Sequence, residues 1–399
     1  MYCTRSITDQ IVWVGGEDHR LALFENLFPI QQGVSYNSYC ILDEKTAVID
    51  TVDQAVGTQF IENVLHTLNG RTLDYLVVNH MEPDHCSNIE ALVLRFPEIK
   101  IVGNMMIFKF MKQFYDFDVD AHSVLVKEGD SLSLGEHTLQ FYTAPNVHWP
   151  EVMMTYEVKE GILFSADAFG TFGACNGNLF ADQVDFDRDY LDDARRYYSN
   201  IVGKFGVQVQ AALKKAASLD VKMICPLHGP IWRENLAYFI EKYDLWSRYV
   251  PEEQAVIILY GSMYGNTENA MRVLANELSI AGVRNIKLYD VSSTDISVLI
   301  SEIFRVSHIV LAAPTYNAGI YPKMANLLHD MKALNVQNRT IGVVDNGTWA
   351  AMCAKQISAQ VQELKNITLL EPVVSIKSAL KEDALEGIVA LKDAIVASL

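Results

Sequence analysis

The stretch VNHMEPDHCSN, residues 78–88, places His80, Glu82, Asp84 and His85 directly after the apolar run LDYLVV. In an extended chain His80, Glu82 and Asp84 alternate, so they are expected to point the same way. Pro83 stiffens the segment between two of them. Left buried and unpaired, such groups cost several kcal/mol. A divalent cation removes that penalty; an exposed loop is the alternative this segment alone leaves open. Downstream, lone residues of ligand type follow apolar runs beside Pro or Gly: His148 in APNVHWPE, Asp167 in ILFSADAFG and His228 in ICPLHGP. Singly, each is an ordinary structural residue. Jointly they suggest a metal centre built at strand ends.

A second place for chemistry is LYGSMYGNTENA, residues 259–270. Ser262, Met263, Tyr264, Gly265, Asn266 and Thr267 lie between a strand-like run and a helical one. Backbone N–H groups and hydroxyls converging beside a helix N-terminus hold a phosphate. The absence of a G-K-[ST] ending argues against a nucleoside triphosphatase loop, and the absence of G-x-G-x-x-G weakens a dinucleotide reading.

The elements that must position these groups change character near residue 250. Upstream, short apolar runs such as TAVIDT, LDYLVVN, IKIVGN and HTLQFYTAP alternate with turns and some helical patterns. That mixture suits an α/β sandwich with the faces of its sheets partly covered. From about residue 254 strands and helices alternate regularly: AVIILYG, NIKLYDVS, SHIVLAAPT, RTIGVVDNG and EPVVSI, with a long helix expected from about Trp349. Such alternation implies a doubly wound parallel sheet. LWSRYVPEEQ reads as the linker, so domains are expected at 1–250 and 254–399.

The order H-x-E-x-D-H, then His148, Asp167 and His228, resembles the metallo-β-lactamase superfamily and its αββα sandwich. Hydrolases of that superfamily usually carry H-x-H-x-D-H and bind zinc. Glu82 stands here at the second histidine, and a further hard oxygen ligand moves preference from zinc toward iron. The second half resembles flavodoxins, with sheet order 2-1-3-4-5 and FMN as the implied cofactor. Its phosphate loop is the 259–270 segment. APTYNAG (Pro314, Thr315, Tyr316, Asn317, Ala318, Gly319) matches the loop flanking the isoalloxazine. DNGTWA (Asn346, Gly347, Thr348, Trp349) matches the third loop in position, without the usual aromatic beside glycines.

Together the halves resemble the two-domain flavodiiron proteins over nearly the whole chain. That resemblance implies reduction of dioxygen to water, or of nitric oxide to nitrous oxide, at an iron pair fed through FMN. Carried over, it puts His80, Glu82 and His148 on one iron, Asp84 and His228 on the other, and Asp167 between them. His85 binds in some members and turns away in others. The family also implies a head-to-tail homodimer or a dimer of dimers, and a rubredoxin-like protein or reduced deazaflavin as electron donor.

Bulk properties narrow the alternatives. A net charge of −17 argues against nucleic acid or an anionic membrane as partner. No run reaches the roughly 18–20 apolar residues of a membrane span, and MYCTRSITDQ lacks a signal-peptide core, so a cytoplasmic protein is expected. Cys3, Cys40, Cys86, Cys175, Cys225 and Cys353 show no C-x-x-C spacing. A rubredoxin-type site within the chain is thereby excluded, and thiol-ligated iron for electron delivery must lie on another protein. Cys86 is taken as small apolar filler, Trp149 as packing, and His19, His66, His122, His137, His308 and His329 as surface or structural. A zinc hydrolase with an appended flavodoxin and a purely flavin-based electron carrier are the rival readings; metal content and reaction with the gases separate them.

Overall fold

The structure, a computed structural model, describes residues 1–399. Contacts divide the chain into two compact units, Met1–Tyr198 with Phe205–Asp244, and Ser199–Lys204 with Leu245–Leu399. The linker segment packs with the second unit for a concrete reason. The buried Tyr249 donates its hydroxyl to the Gly203 carbonyl at 2.8 Å, while its own carbonyl accepts from Arg339 Nη1 at 2.7 Å.

The first unit is a sandwich of two mixed sheets. One runs in the order Arg5–Ser6, Ile11–Trp13, Tyr39–Leu42, Thr46–Ile49, Tyr75–Val77, Lys100–Gly103, Ser123–Leu125. From Thr46–Ile49 onward its neighbours are parallel, which requires crossovers. Helix Gly57–Leu68 is one of these: Phe60, Val64 and Leu68 line its buried face, and Asn69 closes it in the left-handed region at φ 46°. The other sheet runs Ser131–Ser133, Thr138–Thr143, Met153–Glu157, Ile162–Phe164, Met223–Cys225. Inner faces of the two sheets meet at Tyr39 and Phe164, whose rings lie 5.1 Å apart. Residues of the Thr46–Ile49 and Ile162–Phe164 strands are buried on both faces, as a layered α/β unit demands.

The second unit is the expected doubly wound sheet. Its order is Lys287–Asp290, Glu253–Tyr260, Val306–Tyr316, Thr340–Asn346, then a fifth strand in two pieces, Thr368–Leu369 and Val374–Ile376, all parallel. Pro372, which has no N–H for a ladder, sits in the break. Val256, Ile258, Met271, Leu274, Val310 and Leu391 are among the residues of its core. One expectation is corrected here. No long helix starts at Trp349; the helix is Cys353–Val361, and Trp349 is 94% exposed in the preceding loop. Side chains from elsewhere set that start: Thr315 Oγ1 accepts the Met352 and Cys353 amides, and Asp345 Oδ2 accepts that of Ala354. No helix of the chain is long and apolar enough to cross a membrane.

Candidate metal centre and phosphate-loop cleft

The ligand-type residues stand just beyond the carboxyl ends of strands. Asp50, buried after Thr46–Ile49, accepts the Asn79 amide at 2.7 Å, the Asn79 side-chain amide at 2.8 Å and the His80 amide at 3.3 Å. It thereby fixes the turn that delivers His80. Glu82 is still extended, but Pro83–Cys86 forms one helical turn with Pro83 at its first position. The alternation expected for His80, Glu82 and Asp84 therefore ends at Glu82, and Asp84 is carried to a different group. Thr51 anchors this turn by donating both its amide and its hydroxyl to the His85 carbonyl.

On the far side, Ala166 adopts φ 52° to present Asp167 after Ile162–Phe164. His228 follows Met223–Cys225, and Gly229 beside it has φ 77°. A Cβ on Gly229 would lie 2.1 Å from Thr171 Cγ2, so only glycine permits the turn. The Asn37 side-chain amide donates to the carbonyls of Pro226 and Gly229, both at 2.9 Å, and clasps this loop from the facing sheet.

Two groups of ligand atoms result: His80, Glu82, His148 and Asp167 in one, Asp84, His85 and His228 in the other. Asp167 spans them. Its Oδ2 lies 3.1 Å from His80 Nε2 and 3.2 Å from His148 Nε2. Its Oδ1 lies 3.2 Å from His85 Nε2 and 3.7 Å from His228 Nε2. Glu82 Oε2 is 2.9 Å from His148 Nε2 and 3.2 Å from His80 Nε2. Asp84 Oδ2 is 3.3 Å from His85 and 3.2 Å from His228. His85 turns inward, its Nε2 only 3.0 Å from that of His228.

The electrostatics show what the cluster needs. Burial opposes charging His80, yet Asp167, Glu151 and Glu82 outweigh it and hold the imidazole well above its usual pKa. Burial likewise opposes protonating His148, but Asp167 and Glu82 raise it to about 9. His85 is raised against burial by Asp84 and Asp167. For Asp167 burial pushes upward, and His80, His85 and His148 pull its carboxyl well below the carboxylate range. Without a cation, then, the carboxylates draw protons onto imidazoles that face one another. Both Asp167 oxygens and Asp84 Oδ1 are buried with no hydrogen-bond partner. A pair of cations would satisfy these atoms and take the place of the protons. The residues present fit two metal ions of the hard, imidazole-accepting kind.

Sequence reading missed what stands behind the cluster. His80 Nδ1 meets Glu151 Oε1 at 2.7 Å, and His228 Nδ1 donates to the Ser35 carbonyl at 2.8 Å. Glu151 lay within HWPE, a carboxylate in an otherwise apolar strand approach, which is the signal that could have found it. Trp149 packs its ring 5.4 Å from His80, and Cys86 is buried with its thiol on the Met81 carbonyl, as the packing roles expected.

In the second unit a cleft of ≈ 520 Å³ opens at the carboxyl ends of the strands. It is lined from the first loop by Ser262, Met263, Tyr264, Asn266 and Thr267, and from the second by Pro314, Thr315, Tyr316, Asn317 and Ala318. The third loop contributes Asn346, Gly347, Thr348 and Trp349. Gly265 and Gly319 do not line it; they shape it. Gly265 has φ 88°, gives its amide to Ser262 Oγ at 3.0 Å and starts the helix Asn266–Ile280, while Gly319 pairs in a short hairpin with Tyr316. Ala350 and Ser378 also line the cleft and were not anticipated. Hydroxyls and amides at a helix start suit a phosphate, and Tyr316 and Trp349 bring aromatic rings, and Met263 a thioether, to the lining for a ring system.

Residues 34–229 match the family described as ODP family beta lactamase, and residues 258–390 match flavodoxin. A nitric oxide reductase of Moorella thermoacetica is 33% identical over 92% of this chain and 92% of its own length. Among solved structures, the rubredoxin oxygen:oxidoreductase of Desulfovibrio gigas superposes with TM-score 0.90 at 28% identity, over 99% of this chain and 98% of that one. The flavodiiron protein of Giardia intestinalis gives TM-score 0.90 at 26% identity, over 99% and 97%.

Proposed function

The chain belongs to the flavodiiron protein family, and from that footing we infer how its own residues divide the work. It is an oxidoreductase that reduces dioxygen to water, nitric oxide to nitrous oxide, or both. The iron pair supplies the redox chemistry at which the gas reacts, and FMN supplies the electrons. His80, Glu82 and His148 would hold one iron and Asp84, His85 and His228 the other, with Asp167 offering one oxygen to each. Support for this division comes above all from Asp167, whose two unpartnered oxygens are aimed at separate groups of imidazoles. Glu82 adds the oxygen that favours iron over zinc. The cleft residues of the phosphate loop hold the FMN phosphate, and Tyr316 and Trp349 flank its ring.

Asp167→Ala tests the assignment: iron content and gas reduction should be lost while FMN stays bound at wild-type stoichiometry. Undiminished turnover would refute it, and two zinc with no iron per wild-type chain would favour a hydrolase. The electron donor is a rubredoxin-like protein, in line with the name of the Desulfovibrio gigas relative, or a reduced deazaflavin; anaerobic rates with each donor and with each gas decide donor and preference. The working unit is a head-to-tail homodimer in which one chain's flavin serves its partner's irons. Mixing Asp167→Ala chains with flavin-free wild-type chains should then restore part of the activity, and failure to do so under subunit exchange would overturn that arrangement.

A further inference from the structure

The histidines of the two metal groups are held from behind by unlike partners. His80 Nδ1 meets the Glu151 carboxylate at 2.7 Å, inside the protein, where Glu151 is 1% exposed. His228 Nδ1 has only the neutral Ser35 carbonyl at 2.8 Å. His85 Nδ1 is buried without a hydrogen-bond partner. Glu151 is itself fastened twice: Oε1 also accepts the Met81 amide at 2.9 Å, and its backbone carbonyl accepts from Asn104 Nδ2 at 2.6 Å. Asn104 is in turn locked by capping the helix Met105–Phe114. Glu151 Oε2 is buried with no hydrogen-bond partner, and the carboxylate pairs with no lysine or arginine. The imidazole it hydrogen-bonds is that of His80.

A carboxylate accepting the outer N–H of a metal-binding histidine fixes the tautomer and makes the inner nitrogen a stronger donor, whereas a backbone carbonyl orients the ring with less effect on its basicity. We propose that Glu151 is a positioning residue that makes the two metal positions unequal. It strengthens the His80, Glu82 and His148 position selectively. A metal held there would be bound more tightly, and an iron there would be harder to reduce than one at the Asp84, His85 and His228 position. This rests on the two-metal reading given above.

Glu151→Gln keeps an acceptor for His80 and Met81 but removes the charge. Metal-free protein with FMN retained is titrated with Co(II), following the visible ligand-field bands. One of the two binding steps should weaken about 10–100-fold, the usual cost of losing such a partner, with the other step unmoved. In the iron-loaded variant one iron should become easier to reduce in a stepwise titration followed by Mössbauer spectroscopy, and the second should keep its potential. A role confined to holding the ring in place predicts no change in potential, because the hydrogen bond survives. Equal weakening of both steps, or of neither, overturns the proposal. If Glu151→Gln does not fold, the wild-type protein is read in the same titration: two Co(II) steps of unequal affinity support the proposal and two equal steps overturn it. Binding of fewer than two Co(II) per wild-type chain would bring down the two-metal reading itself.

Discussion

Asn346 offers a sharp test of how the flavin cleft is held open. It ends the strand Thr340–Asn346, is 6% exposed, and reaches across to other loops. Its Oδ1 accepts the Ser378 amide at 2.9 Å; its Nδ2 donates to the Ser378 carbonyl at 2.8 Å and lies 3.4 Å from Thr267 Oγ1. Ser378 needs such a clamp, because its φ of 67° is one that serine rarely adopts. Replacing Asn346 with Ala removes two good neutral hydrogen bonds at about 1 kcal/mol each, and the Thr267 contact is too long to add much. The sum, about 2 kcal/mol, corresponds to roughly 30-fold in FMN affinity if the loss falls on the bound state. Fluorescence quenching during titration of flavin-free protein with FMN measures this directly. Asn346→Asp keeps the acceptor but sets a carboxylate oxygen against the Ser378 carbonyl and beside the phosphate loop, so its affinity should fall at least as far as that of Ala. A dissociation constant for Asn346→Ala within about threefold of wild type, with thermal stability unchanged, would show that the clamp does not shape the cleft.

Other expectations concern the remaining elements. Gly229→Ala places a Cβ 2.1 Å from Thr171 Cγ2 at φ 77°. It should destabilise the first unit by about 2–5 kcal/mol through backbone strain and overpacking, and lower metal retention in a chelator competition. Stripping the metals should lower the unfolding temperature of the first unit and leave FMN release on heating unchanged; at free metal 1,000-fold above the dissociation constant the linked loss is about 4 kcal/mol per site. Burial pushes Glu302 upward, but Arg305, with Nη2 at 2.6 Å, outweighs it and lowers the carboxyl below its ordinary 4.5. That stabilisation is present above pH 4.5 and lost as pH falls through the lower folded value. Glu302→Gln should therefore cost roughly 3 kcal/mol near neutrality, the low end for breaking a buried pair because Glu253 still pairs with Arg305. Its unfolding curve should also flatten in acid, and an acid slope equal to wild type would contradict this.

Much of the fold was legible because both units repeat simple rules. Strands such as TAVI and AVIILY are buried on both faces, so their apolar runs are nearly unbroken, and the alternation with helices gave the parallel sheet away. The helix start near Trp349 was not legible from local pattern. TWAAMCAKQ has acceptable helical composition throughout, yet the first turn forms only where Asp345 and Thr315 accept its amides. Asp345 lies nine residues before Ala354 but at the end of a strand, and Thr315 comes from another strand end far upstream, so helical pattern alone does not contain that relation. Ser378 escaped notice for a similar reason: a serine at φ 67° looks like any loop serine until Asn346 is seen to hold it.

At the metal centre, residue type was readable and partition was not. Histidines and carboxylates beside Pro and Gly after apolar strands announce a centre because burying them otherwise is too costly. Which group of ligand atoms each joins depends on a rotation that the letters conceal. Glu82 still has extended backbone, at φ −66° and ψ 141°; at Pro83 the chain becomes a helical turn and the period changes. Asp84 and His85 are thereby swung to His228 while Glu82 stays with His80 and His148. Had Pro83 stayed extended instead of opening a helical turn, Asp84 would have fallen on the side of Glu82 and left the second group with two imidazoles and a shared carboxylate. The proline is thus more than a stiffener. It divides one contiguous cluster between two positions, and Asp167, reaching from the facing sheet with an oxygen for each, rejoins them.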